Sequence, residues 1–528
     1  MSAYFALIPP AGFLVFAARR LLTYLHLFQQ EEYDGPRFLR WLVANRAWDR
    51  RLSLGLVAVF LAQLYFGGWV FPVVAGALCL TAAAIERDPR KTGKKPLAMT
   101  ARAKRIYIAA LAIAVVIAGF AAAISDLALV WIVAVQLIPL ALVAGNLVLL
   151  PSEKRVQDSY RREARDILGK MNPMVIGITG SFGKTSVKHI LGHILETAGP
   201  TLITPGSVNT AMGIARIIRE RLQPHHRYFV VEMGAYGIGS IERLCALTPP
   251  HLGIITAIGK AHYERFKTLD AVSHAKFELA EAARANGGKV VINADVLEFP
   301  WPREFLDRHG DIVITVGGEA DAALQVKTVR QDADGIVAAI TWRGAEYELH
   351  APLYGLHHGR NIALAFAAAC EIGLAPEDVV ASLRSTPQIA HRLEVKHQGD
   401  GSILIDDAYN SNPIGFASAL SLLDTLRPPG GRRILVTPGM VELGTEHEAE
   451  HARIGRLAAE HVDVLLAVAP HRVAPLADAF KRAAPQQEIV SCATFADARN
   501  WLDRNRGQRD VVLLENDLPD LLEQKPRL

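Results

Sequence analysis

Residues 174–190 read Met-Val-Ile-Gly-Ile-Thr-Gly-Ser-Phe-Gly-Lys-Thr-Ser-Val-Lys-His-Ile, and no other stretch restricts the fold so strongly. The apolar run Met174 to Ile178 has the pattern of a parallel strand buried on both faces. It breaks into Thr179-Gly180-Ser181-Phe182-Gly183, then Lys184-Thr185-Ser186, then a helical pattern. Strand, glycine turn and helix in that order form a phosphate cradle. The glycines let backbone N–H groups approach phosphate oxygens, and the helix start adds partial positive charge. Lys184 is spaced to reach the terminal phosphates, and the Thr185 hydroxyl to ligate Mg²⁺. The strict P-loop pattern has glycine at 178, where this chain has Ile; the nearest glycine is Gly177.

The next segments alternate strand and helix. Tyr228 to Glu232 is a strand ending in a carboxylate, and Leu252 to Thr256 is a strand leading to His262. A helix over about 269–285 carries Lys276, and Lys289 to Asn293 is a further strand. Such alternation predicts a parallel α/β sheet, whose ligands sit beyond the carboxyl ends of the strands. The glycine turn, Glu232, His262 and Asn293 all fall at such ends. Glu232 with Thr185 would suit one Mg²⁺, and His262 a second ion. Residues 311–352, with glycine turn signals, predict short antiparallel strands beside the sheet. A second α/β pattern starts near Arg392, with strands near 402–406, 432–437, 463–468, 487–491 and 510–514. It has no dinucleotide glycine fingerprint.

The first 150 residues differ in kind. The whole 528-residue chain is 51% hydrophobic, and the excess lies here. Apolar blocks at 3–18, 52–85 and 106–150 predict about five spans: one, then two hairpins. The second block is long for one span and short for two, with Gly67-Gly68-Trp69 as its turn. Positive charge concentrates between the blocks, from Arg19 to Arg51 and from Arg87 to Arg105. The positive-inside rule then puts the N-terminus outside and residue 151 onward in the cytoplasm. A signal peptide would carry its basic residues before the first apolar run, and here they follow it. Residues 25–42 mix aromatics, acids and arginines, as an interfacial segment does. The net charge of +4 is too small to imply nucleic acid, and the four cysteines lack metal or redox spacing. The domains expected are 1–150 (transmembrane), 151–390 (ATP-binding) and 391–528 (C-terminal).

Several motifs resemble those of the Mur ligases, in the same order along residues 165–515. They are the glycine loop to Lys188, Val231-Glu232-Met-Gly-Ala235, and the segment from Thr256 through His262 to Phe266. Ala275-Lys276-Phe-Glu278 resembles the segment whose lysine is carbamylated in that family. Gly355-Leu-His357-His-Gly-Arg-Asn361, Ile405-Asp-Asp407-Ala-Tyr409-Asn410-Ser-Asn412-Pro413 and Met440-Val-Glu442-Leu-Gly444 resemble three more, the second being a signature of the MurF branch. The resemblance implies a P-loop central domain followed by a Rossmann-like domain. It implies an ADP-forming ligation of a carboxylate to an amino acid or dipeptide amine, with ATP and Mg²⁺, in cell-wall precursor synthesis. It makes Lys184, Lys276, His262 and Glu232 catalytic. Thr185, Glu232, His262 and carbamylated Lys276 would hold the metal. Gly180, Ser181, Gly183, Lys184, Thr185, Ser186, Asn293, His357, Asn361, Arg392 and Asp407 would bind the nucleotide, and Asn209, Tyr409, Asn410 and Asn412 the substrates.

The chain departs from the family pattern where the apolar region stands in place of a UDP-binding domain. It departs again where Val511 to Asp520 replaces a Lys-Gly-Ser-Arg segment, Thr437-Pro-Gly439 a Gly-Asp pair, and His391 a glycine. Its acceptor would be a small-molecule or lipid-linked carboxylate, with membrane lipid as a further partner, at the inner face of a bacterial cytoplasmic membrane. The alternatives are a membrane-associated poly-amino-acid synthetase, a P-loop ATPase coupled to transport, and a ligase-like scaffold without catalysis. Against transport, Asp126 is the sole charge within the apolar blocks and falls at a turn.

Overall fold

A computed structural model describes residues 6–91, 96–259, 266–409, 411–441 and 443–517. The described residues form two compact units, 6–158 and 159–517.

The first unit is helical: α1 (Ile8–Gln30), α2 (Gly35–Ala44), α3 (Arg51–Phe66), α4 (Val70–Ile85), α5 (Ala101–Ile124) and the start of α6 (Leu129–Met171). The 52–85 block is a helical hairpin. Gly67 and Gly68 turn it with φ of +64° and +101°, angles that a side chain would oppose. Helix α6 carries the chain without a break through 151–170, the charged stretch that follows its apolar half.

The first unit buries a core that includes Phe13, Phe16, Phe28 and Phe38, yet also exposes large apolar residues, most clearly on α5. Helix α5 buries Ala103, Ala110, Ala114, Ala118 and Ala121 and exposes Ile108, Val115, Val116 and Phe120. Small residues let helices approach: a Cβ on Gly12 of α1 would lie 2.3 Å from the Gly76 carbonyl oxygen of α4. Helices α1, α5 and α6 are long and apolar enough to cross a membrane, and α3 and α4 are shorter apolar helices. Inside the bundle Arg20 pairs with Asp49 at 2.9 Å and with Glu86 at 3.1 Å.

The second unit holds two sheets. Their strands, in chain order, are β1 (Met174–Thr179), β2 (Thr201–Ile203), β3 (Tyr228–Glu232), β4 (Leu252–Ile255), β5 (Lys289–Asn293), β6 (Val313–Gly317), β7 (Leu324–Asp332), β8 (Gly335–Trp342), β9 (Ala345–Ala351), β10 (Glu394–His397), β11 (Ile403–Asp407), β12 (Arg433–Thr437), β13 (Val464–Val468), β14 (Glu488–Cys492) and β15 (Val511–Glu515). The first sheet runs β2-β3-β1-β4-β5-β6-β7-β8-β9 and the second β10-β11-β15-β12-β13-β14. Strands β1, β3, β4 and β5 are fully or nearly buried, as their unbroken apolar runs require, and β2 at the sheet edge is half-buried.

Residues 311–352 meet expectation in part, since β7, β8 and β9 pair antiparallel. Val313–Gly317 pairs parallel with β5, and β7 to β9 extend the same nine-stranded sheet instead of lying beside it. The second sheet gains an antiparallel edge strand, β10, paired with β11. All its other pairings are parallel.

Four helices place the site. Helix α7 (Lys184–Glu196) follows the glycine turn, α8 (Ala211–Arg221) and α9 (Ser240–Leu247) precede β3 and β4, and α10 (Leu269–Ala285) carries Lys276. The Ala-rich α11 (His358–Ile372) packs on α7, with nearly every residue buried. Between the sheets, His391 and Leu393 take φ of +59° and +49° around Arg392.

Candidate functional site

The site grows from the turn between β1 and α7. Gly180 has φ of +150°, and a Cβ there would lie 2.0 Å from the Thr256 hydroxyl. Gly183 has φ of +83°, and its Cβ would meet the Asn361 side-chain oxygen at 2.7 Å. Both positions therefore need glycine, and the turn presents bare backbone at a helix N-terminus. The Ser181 hydroxyl donates to the Gly259 carbonyl and accepts from the Gly259 N–H, both at 3.0 Å, tying the turn to the end of β4. The Lys184 ammonium folds over its own loop, donating to Gly180 O at 2.6 Å and Ser181 O at 3.2 Å. Burial lowers it to about 8, against the pull of Glu232. Phosphate oxygens are the natural replacement for those two carbonyls. Ser186, also on α7, is buried.

Glu232, at the end of β3, is 1% exposed. Its Oε2 accepts from the Thr185 hydroxyl and pairs with the Lys188 ammonium, each at 3.0 Å. Its Oε1 accepts from Asn209 Nδ2 at 3.3 Å, and Tyr236 donates to Asn209 Oδ1 at 3.4 Å. Asn209 thus helps to orient the carboxylate. Hard oxygen donors from Thr185 and Glu232 converge as Mg²⁺ ligands should.

Lys188 was not singled out from the sequence. It is wholly buried and also donates to the Gly206 carbonyl, so it ties loop 204–209 to Glu232. The available signal was its spacing: four residues after Lys184 it lies on the same helix face, toward the site. Lys276 is 3% exposed and makes no hydrogen bond with any described residue. Burial, and Lys184 next, push its ammonium well below the ordinary lysine value. His262 and Asn410 lie outside the described residues.

Asn293 caps the turn after β5, accepting from the Asp295 N–H at 3.2 Å. Asn361 is buried against the glycine turn, whereas His357 is exposed at the start of α11. Arg392 stacks on the Tyr409 ring at 4.4 Å. Its positive charge acts on Lys184 and Lys188 on one side and on Asp407 on the other, so both sheets contribute to one locality. Asn412 uses its side-chain oxygen to cap the helix at Pro413–Leu426, accepting from Ile414 N at 3.2 Å and Gly415 N at 3.0 Å. Asp407 is buried and accepts from the Leu393 N–H at 3.2 Å. Its in-register neighbour on β15 is Glu515, another residue the sequence did not mark.

The Mur ligase middle domain matches residues 178–369, and the Mur ligase glutamate ligase domain matches residues 391–515. The chain is 32% identical over 301 residues to the UDP-N-acetylmuramoyl-tripeptide–D-alanyl-D-alanine ligase of Mycobacterium tuberculosis strain H37Rv, covering 54% of this chain and 56% of the relative. It is 30% identical over 304 residues to the enzyme of the same name from Escherichia coli strain K12, covering 56% and 64%. The chain thus spans less than two thirds of these curated relatives. Its fold is shared with MurF from Acinetobacter baumannii, at a TM-score of 0.60 and 23% identity over 68% of this chain and 77% of that one. It is shared also with the Thermotoga maritima MurF ligase solved in complex with ADP, at a TM-score of 0.58 and 23% identity over 68% and 80%. With the two domain matches in the order that its motifs run, the chain belongs to the Mur ligase family.

Proposed function

We propose that this protein is an ATP-dependent, ADP-forming amide ligase of the MurF type, anchored in the cytoplasmic membrane with its α/β unit in the cytoplasm. The observation that carries the reading is the convergence of four groups at one sheet edge. These are the glycine turn, the Lys184 ammonium, the Thr185–Glu232 oxygen pair and the buried Lys276. A substrate carboxylate attacks the γ-phosphorus of ATP, and the P–O bond to ADP breaks. The resulting acyl phosphate is attacked by an amine, and phosphate leaves. Lys184 swings from its loop carbonyls to the transferring phosphate, and the α7 N-terminus holds the neighbouring oxygens. Mg²⁺, held by Thr185 and Glu232, would neutralise phosphate charge. Lys276 supplies the neutral amine that carbon dioxide needs to form a carbamate, because burial disfavours its ammonium.

The amine is read as D-alanyl-D-alanine and the acceptor as a muramoyl tripeptide, by likeness to the named relatives. The membrane reading rests on the large apolar residues exposed over the first unit, such as Leu61, Leu64, Ile108, Val116 and Phe120, and on the basic segments between its apolar blocks. The test is phosphate release by the full chain in detergent, with D-alanyl-D-alanine and either UDP-muramoyl tripeptide or its lipid-linked counterpart. ADP should form only when both substrates are present, and Lys184→Ala should lose at least about a hundredfold in rate. Full activity of Lys184→Ala refutes the site.

A further inference from the structure

Two carboxyl groups lie side by side at the carboxyl edge of the second sheet. Asp407 ends β11 and Glu515 ends β15, as paired residues on adjacent parallel strands. Asp407 is 7% exposed and Glu515 is completely buried. Glu515 Oε1 accepts from the Ser411 hydroxyl, whereas Oε2 has no hydrogen-bond partner among the described residues. An orphan buried carboxylate oxygen is costly. A proton held between the two groups supplies the missing bond, and two adjacent buried carboxylates cannot both stay ionised. In agreement, burial raises Asp407 to about 6, and burial, then the charge of Asp407, raise Glu515 well above its ordinary value. The groups facing the pair are Arg392, Asp406, Ser411 and the Leu393 N–H. Arg392 is the cation whose charge also acts on Lys184 and Lys188, so the pair shares a charged neighbour with the glycine-turn lysines.

We infer that Asp407 and Glu515 form the proton acceptor for the incoming amine. The inference rests on the ligase reading above and names how its second substrate is handled. The amine arrives as an ammonium. It gives one proton to the pair, which passes from one shared proton to two. The freed lone pair attacks the acyl carbon. The C–O bond to phosphate then breaks, and the phosphate leaves with the second N–H proton as the amide forms. Water later removes the extra proton from the pair. A shared-proton pair carries a single negative charge, enough to attract one ammonium without repelling the acyl phosphate as two carboxylates would.

Hydroxylamine separates this step from the first, because it is largely unprotonated at neutral pH and traps acyl phosphate as hydroxamate without a base. The full chain in detergent, with ATP, Mg²⁺ and UDP-muramoyl tripeptide, is given either hydroxylamine or D-alanyl-D-alanine. Glu515→Gln keeps the shape of the side chain. It should lower the ratio of amide to hydroxamate about tenfold at pH 7. The ratio should return to the wild-type value by pH 9, since the dipeptide amine, with an ordinary pKa of about 8, is by then already neutral. Asp407→Asn should do the same, and covers the case that Glu515→Gln does not fold. A ratio within twofold of wild type at pH 7, or a deficit equal at pH 7 and pH 9, overturns the inference. Absence of hydroxamate from the wild-type protein would instead refute the ligase reading itself.

Discussion

Replacing Lys188 by Met tests the electrostatics of the site most directly. Lys188 and Glu232 form an ion pair in which the side chains are 0% and 2% exposed. Removing one partner of such a pair strands the other charge, at about 3–5 kcal/mol. Thr185 and Asn209 still donate to the stranded carboxylate, so the lower end, about 3 kcal/mol, applies. Domains of 150–250 residues lose about 2–4 °C per kcal/mol, and a larger unit sits at the bottom of that range, giving a drop of about 6 °C. The sign reverses for ligand. In the native protein the Lys188 ammonium opposes a cation at Glu232. Without it, Mg²⁺ with ADP should raise the melting temperature of the variant by several degrees more than that of wild type. Thermal unfolding followed by intrinsic fluorescence, with and without Mg²⁺ and ADP, reads both effects. A variant that melts within 1 °C of wild type in both conditions would show that the pair contributes no net electrostatic energy.

Three further outcomes follow from particular residues. Lys276→Ala should lower phosphate release at least about tenfold, with partial recovery on adding formate or acetate; equal rates with and without these acids contradict a carboxylate role for Lys276. His451 is fully buried and accepts from the Met440 N–H at 3.0 Å, and burial lowers it to about 4. The folded state therefore resists a proton that the unfolded chain takes up near pH 6.5. Stability should fall by about 3 kcal/mol as pH drops from 6.5 to 4 and then level off for this group. Denaturant midpoints across that window should flatten in His451→Gln. Finally, a maleimide that does not cross membranes should label Ser125→Cys and Gly67→Cys in intact cells, and Ser152→Cys only after permeabilisation; the opposite pattern reverses the proposed topology.

The glycine turn and Glu232 at a strand end were legible because each carries a local pattern, whereas Lys276 stood out only through its likeness to a family motif. Strand ends of a parallel sheet collect ligands whatever the rest of the chain does, and the alternation of strand and helix located those ends. Lys188 and Glu515 were not legible. A helix lysine is ordinarily solvated, and only the packing of α7 beneath loop 204–209 reveals that this one is sealed in. Glu515 read merely as a departure from a family motif, because its significance depends on β15 inserting between β11 and β12, a pairing of residues more than a hundred positions apart. Asn412 has a structural role that its place in a signature did not suggest: its side-chain oxygen closes a helix end. The strands of residues 311–352 were visible individually, but turn signals cannot tell an appended ribbon from an extension of the main sheet.

The hairpin of α3 and α4 has a bearing on where such a protein can reside. Each of its helices has 16 residues, about 24 Å of rise against roughly 30 Å of hydrocarbon. If the protein is anchored as proposed, lipid tails beside this hairpin would have to shorten or splay to keep its ends wet, at a modest cost for each ångström of mismatch. The bilayer around the protein would be pinched on one flank, and thicker, more ordered patches would exclude it.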